Sequence, residues 1–96
     1  MCEMVVWKYP LAYVGVVQEV EMPRYALVCD VRDQGDGPTL WAQCNPEEPM
    51  EKRRFRVVMT GEIFGCNPGA NYHVGSTFFE LDSVKGHEAL VSHVFE

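Results

Sequence analysis

The sequence predicts an all-β domain, a small sandwich or partly open barrel of six or seven mostly antiparallel strands. Three observations carry this. No segment sustains a 3.6-residue hydrophobic period over even three turns. Short runs with period-two alternation recur along the whole chain. Clusters of glycine, proline and asparagine punctuate those runs. At 96 residues the chain holds one domain, residues 1–96, with no room for a second core.

The first run is Met4 to Leu11. Val5, Trp7 and Tyr9 share one face, and Pro10 marks a strand end or a sheet edge. Trp7 and Tyr9 read as core aromatics. Val14 to Met22 alternates again, and Met22-Pro23-Arg24-Tyr25 reads as a turn. Ala26 to Asp33 then places Leu27, Cys29 and Val31 inward, with Asp30 and Arg32 outward. Two glycines in Gln34-Gly35-Asp36-Gly37 permit a tight reversal into Thr39 to Asn45, where Leu40, Ala42 and Cys44 oppose Trp41 and Gln43. After the proline-punctuated segment 45–52 comes the strand 53–61. Its Phe55, Val57 and Met59 take one face; Arg54, Arg56, Val58 and Thr60 take the other. The loop 62–71 of about ten residues exceeds the usual four to six, a length that is often functional, and it holds the exposed-looking pair Ile63 and Phe64. Tyr72 to Leu81 is a strand with a bulge near Gly75-Ser76. Ala89 to Glu96 is the last strand, with Val91, His93 and Phe95 on one face.

Composition narrows the function. Hydrophobic residues make up 47% and charged residues 23%, an ordinary globular balance. The formal charge of -6 argues against general nucleic-acid binding. No apolar run approaches 18 residues and no signal-like amino terminus is present, so neither a membrane span nor secretion is expected. The four cysteines at 2, 29, 44 and 66 lack C-x-x-C spacing and read as reduced thiols that pack as small hydrophobes. The three histidines, 73, 87 and 93, form no metal-ligand motif, and no serine has a nucleophile-elbow context. No enzyme activity, no metal and no cofactor are expected.

Positive charge concentrated on a core-like strand in an acidic protein points to an anionic ligand. Arg54 and Arg56, about 7 Å apart along one strand face, suit phosphates held by guanidinium forks. Trp41 and Tyr72 are candidate stacking faces, Thr60 and Asn71 candidate polar contacts, and His73 a further candidate.

Several motifs are shared with a known group. Trp7-Lys8-Tyr9-Pro10-Leu11, Met22-Pro23-Arg24, Trp41-Ala42 with Asn45-Pro46, Arg53 with Phe55 and Thr60-Gly61, Val74-Gly75 with Thr77-Phe78, and His93-Val94-Phe95-Glu96 run over nearly the whole chain. With these the chain resembles a family of small tailed-phage proteins without established activity. Asn45 replaces that family's usual aspartate, and Glu62 stands where histidine often follows the Thr-Gly pair. The resemblance implies a phage protein acting in the cytoplasm of the infected bacterial host. Such proteins are often anti-defence factors, among them sponges that sequester a nucleotide-derived immune second messenger. The expected function is therefore binding, without cleavage, of an ADP-ribose derivative of Thoeris signalling or a cyclic dinucleotide. A protein–protein inhibitor acting through an acidic β surface is the alternative. A homodimer is expected from the small size.

Overall fold

In the computed structural model the described backbone covers residues 3–12, 17–33, 37–65, 72–83 and 86–96, and the described side chains are those residues without 78–83 and 86–90. Among the described residues there are seven strands and no helix: β1 (Val5–Pro10), β2 (Gln18–Pro23), β3 (Leu27–Asp33), β4 (Pro38–Cys44), β5 (Met50–Met59), β6 (His73–Ser83) and β7 (Gly86–Phe95). They form a three-stranded sheet in the order β1-β4-β3 and a four-stranded sheet in the order β2-β5-β7-β6. Every strand pair is antiparallel.

The core lies between the two sheets. The three-stranded sheet supplies Val31, Leu40, Ala42 and Cys44, and the four-stranded sheet supplies Met22, Phe55, Val57 and Val94, all 5% exposed or less. The alternation of β4 that the sequence predicts is therefore realised, with Leu40, Ala42 and Cys44 inward and Gln43 exposed. Pro10 sits on β1, an edge strand, where no ladder N–H is missed. That edge position also leaves Trp7 40% exposed, so Trp7 is not the core aromatic the sequence suggests, while Val5 and Tyr9 do pack on the core. The Tyr9 hydroxyl lies 3.7 Å from the Cys44 thiol. Burial, reinforced by that contact, pushes its pKa up to about 12.

Strand β3 departs from simple alternation. Val28 pairs with Ala42 but Asp30 pairs with Trp41, so Cys29 is the extra residue of a bulge. The bulge shifts the phase. Val28 and Val31 face the core, whereas Leu27 is 65% exposed and Cys29 is exposed, its thiol donating to the Trp41 carbonyl at 3.3 Å. The inward placement of Leu27 and Cys29 is thereby corrected. Strand β6 carries a second bulge between His73 and Gly75, where the sequence places one. Here β6 approaches β3 so closely that a Cβ on Gly75 would lie 2.7 Å from Val31 Cγ2. The Asp33 amide donates to Thr77 Oγ1 across the same seam at 3.0 Å.

Strand β5 is covered on both faces at its centre. Phe55, Arg56, Val57 and Val58 are all 2% exposed or less. The first and third face the core, and the others face away from the three-stranded sheet. That second face is where the candidate chemistry lies.

Candidate functional site

The cross-strand register assembles the second face of the four-stranded sheet. Arg56 pairs with Phe95 and Val58 with His93, while His93 in turn pairs with Ser76 and Phe95 with His73. Paired residues share a face, so Arg56, Val58, Thr60, His73, Ser76, His93 and Phe95 lie on one surface. After β5 the chain turns at Thr60-Gly61, with Glu62 N donating to Met59 O at 3.0 Å and Gly61 at φ 86, a left-handed conformation that glycine adopts without strain. The turn brings Phe64 back over this surface. Its ring centroid lies 4.7 Å from Arg56 Cζ and 5.2 Å from the Phe95 ring. Arg56, 2% exposed, is thus a cation held under an aromatic ring.

Beside Arg56 runs a continuous hydrogen-bonded chain. Thr60 Oγ1 lies 2.8 Å from His93 Nε2, His93 Nδ1 lies 2.7 Å from Ser76 Oγ, and Ser76 Oγ lies 2.8 Å from His73 Nε2. The Thr60 hydroxyl also lies 3.4 Å from the Val91 carbonyl. With the His93 proton on Nε2, Nδ1 accepts from the Ser76 hydroxyl, which in turn accepts from His73 Nε2–H; the other tautomer runs the same three contacts in reverse.

Of the predicted site residues, Arg56, Thr60 and His73 meet on this face. Arg54 lies on the same face of β5 but is exposed at the margin, paired with Glu19 of β2, so the two arginines are not equivalent: one is solvated and the other covered. Trp41 does not belong to the site. It lies on the outward face of β4, opposite to Leu40 and Ala42, and the core separates it from Arg56. Tyr72 is 74% exposed and borders a separate cleft of about 180 Å³ with Arg53, His73, Val74 and Glu96. Asn71 lies outside the described residues. Ser76, His93, Phe64 and Phe95 also lie on or over this face and were not among the site residues that the sequence predicts. Alternation assigns His93 and Phe95 to one face, but only the β6–β7 register shows that Ser76 falls opposite His93.

Arg53 has a different task. Its Nε and Nη2 grip both carboxylate oxygens of Glu96, the latter at 2.7 Å, and Nη1 donates to the Ala26 carbonyl. Hydrogen bonding to Glu96, opposed by partial burial, holds its pKa above the ordinary arginine value. Glu96 also exchanges two backbone hydrogen bonds with Tyr72, at 2.6 and 2.8 Å, so the clamp fixes the chain next to His73.

The family model for DUF7352, a domain of unknown function, matches residues 3–96. The chain belongs to that family. No curated protein and no solved structure matches it. Among the described residues no helix is long and apolar enough to cross a membrane.

Proposed function

We propose that the chain is a non-catalytic binding protein that takes a phosphate-bearing, nucleotide-type small molecule on the second face of the four-stranded sheet. The observation that carries this reading is Arg56 beneath Phe64, on the surface shared with Thr60, His73, Ser76 and His93. A guanidinium of restricted solvation binds an oxyanion more strongly than a solvated one. The Phe64 ring, 39% exposed, offers a face on which a base stacks. With the resemblance to phage proteins, the proposed ligand is a nucleotide-derived immune second messenger, an ADP-ribose derivative or a cyclic dinucleotide. The proposed role is its sequestration, as an anti-defence factor, in the cytoplasm of an infected bacterium. A homodimer is part of the proposal, and sedimentation of the full chain tests it.

Calorimetry of the full chain against a panel of cyclic dinucleotides and ADP-ribose isomers is the direct test. Saturable binding by at least one, weakened at least tenfold by Phe64→Ala and recovered as intact ligand after denaturation, is expected. No heat and no thermal shift with any member refutes the reading. Recovery of a cleaved product refutes its non-catalytic part.

A second reading rests on the opposite side of the molecule. Val6 and Leu27, both exposed, flank Gln43, and Trp41 lies in the neighbouring cross-strand row between Lys8 and Asp30. This surface mixes exposed Val6 and Leu27 and half-buried Trp41 with Gln43, Lys8 and Asp30, in place of the acidic β surface that the sequence suggests, and such a mixture suits a protein partner. The protein–protein inhibitor reading predicts a stable complex with a host protein that Trp41→Ala abolishes and Phe64→Ala leaves intact.

A further inference from the structure

Beyond Arg56 and Phe64, three features of the molecule hold chemistry of their own. The cleft of about 460 Å³ lined by Val31, Arg32, Asp33, Ser76 and Thr77 follows the seam between β3 and β6, and its arginine already pairs with Asp30 at 2.7 Å. Ser76, within reach of His93, has the geometry of a nucleophile beside a base. Its hydroxyl is already engaged by two imidazoles, His93 Nδ1 at 2.7 Å and His73 Nε2 at 2.8 Å. The third feature is the convergence of two imidazoles, and it carries furthest.

We infer that His73 and His93 form a binding site for a borderline divalent transition-metal ion such as Zn²⁺, Cu²⁺ or Ni²⁺. Two independent features of the geometry support this, and neither rests on the anion-binding reading. First, His73 Nε2 and His93 Nδ1 converge on one point, now filled by Ser76 Oγ at 2.8 and 2.7 Å, with the ring centroids 6.2 Å apart and tilted by 52°. A metal ion needs nitrogen donors at about 2.0–2.1 Å, so rotation of the small Ser76 side chain and a modest closure of the rings replaces the hydroxyl by an ion. Secondly, the outer hydrogen bond is already in place. Thr60 Oγ1 lies 2.8 Å from His93 Nε2, and in the tautomer with the proton on Nε2 the Nδ1 lone pair faces the convergence point. Fixing an imidazole tautomer from its far nitrogen is what supporting residues do for metal-bound histidines. His73 is held from the other side by an edge contact with Phe95 at 5.4 Å. It contributes Nε2 once its proton moves to Nδ1.

Among the described residues no third His, Cys, Asp or Glu completes the set. Two imidazoles and water then make up the coordination. Arg56 is the nearby cation, two residues from Val58, the cross-strand partner of His93, and it weakens the site without blocking it. Glu62 is the nearest acid on the following turn, where its carboxylate accepts from Met59 N at 3.3 Å. A two-histidine site of this kind binds Cu²⁺ more tightly than Ni²⁺ or Zn²⁺, in the general order for nitrogen ligands.

Titration of the full-length chain with each metal salt, followed calorimetrically above pH 7, tests the inference. One equivalent of Cu²⁺ is expected to bind most tightly, with Zn²⁺ and Ni²⁺ weaker but measurable. His73→Ala and His93→Ala are each expected to lower affinity at least tenfold, and Thr60→Val by about 10–100-fold. Dissociation constants above about 1 mM for all three ions, or undiminished binding in the double histidine variant, overturn it. Among the described residues the exposed Cys29 is a competing donor. Intense thiolate-to-metal absorption with Co²⁺, or loss of binding in Cys29→Ser, assigns the ion to sulfur and overturns the inference. Should the histidine variants fail to fold, ring nitrogen resonances of the wild-type chain decide. The metal must shift or broaden His73 and His93 and leave His87 unchanged; any other pattern overturns the site.

Discussion

Replacing Glu96 by glutamine removes one charge from the clamp that Arg53 closes while keeping the side chain's shape. The two side chains are 17% and 27% exposed, so the pair lies between two regimes. Exposed ion pairs contribute at most about 1 kcal/mol, and breaking a fully buried pair costs about 3–5 kcal/mol. With a two-pronged grip and this burial, Glu96→Gln should destabilise the domain by about 2 kcal/mol. Arg53→Met should cost about 3 kcal/mol, because the Ala26 carbonyl loses its donor as well. The double variant should cost little more than Arg53→Met, which gives a coupling of about 1–2 kcal/mol in a double-mutant cycle. Urea denaturation at two ionic strengths measures all four proteins. The reasoning also locates the damage: amide exchange should accelerate first at Tyr72 and Glu96, whose paired backbone bonds the clamp holds. A coupling below about 0.3 kcal/mol, or a cost that vanishes entirely in 1 M salt, would refute it, since only a solvated pair is screened so completely.

Other perturbations test the packing and the titrating groups. Gly75→Ala drives a methyl group to within 2.7 Å of Val31 Cγ2 and should cost about 1–3 kcal/mol, a loss that Val31→Ala in the same chain should partly relieve; unchanged stability in the single variant would contradict the close approach of β6 to β3. Phe55→Ala empties the fully buried centre of β5 and should cost about 3–5 kcal/mol by thermal or urea unfolding. Tyr9 has a folded pKa of about 12 against 10 in the unfolded chain, so the folded state holds its proton more tightly. The stability this contributes is complete below pH 10 and is lost as pH rises through 12. Over that window Tyr9→Phe should lose less stability than the wild type, and parallel losses would remove the phenol from the account.

How far the sequence reveals the fold depends on what fixes each element. Strand β4 is legible because its alternation is uninterrupted and Leu40, Ala42 and Cys44 all reach the core. Strand β3 is misread at Leu27 and Cys29 because a single bulge residue reverses the phase of everything before it, and no residue type announces the bulge. Trp7 is misread because aromatic size suggests burial, whereas exposure is decided by whether a strand lies at an edge. The candidate site divides in the same way. Alternation along β5 correctly places Arg54, Arg56 and Thr60 on one face. Which of the two arginines is covered depends on Phe64, whose return over the sheet is set by the turn after Thr60. The grouping of Ser76 with His73 and His93 depends on the register of β6 against β7, and that bulged register is a tertiary property.

The covering of β5 on both faces bears on where ligand chemistry can occur in so small a domain. A two-sheet domain of this size has one core, and the second face of each sheet ordinarily meets water. In this chain Val58 and Arg56 are as buried on the second face as Phe55 and Val57 are on the first. Desolvating a guanidinium is costly, and the Phe64 ring over it is one of the contacts that offset the cost. Val58, the neighbour of Arg56 on the same face, fills the same depth with an apolar side chain. On the reading proposed above, Arg56 is the charge that gives this face its affinity for an anion. On that reading Phe64 keeps its place over the guanidinium and adds a stacking face, so Phe64→Ala weakens ligand binding while Arg56 stays in the sheet.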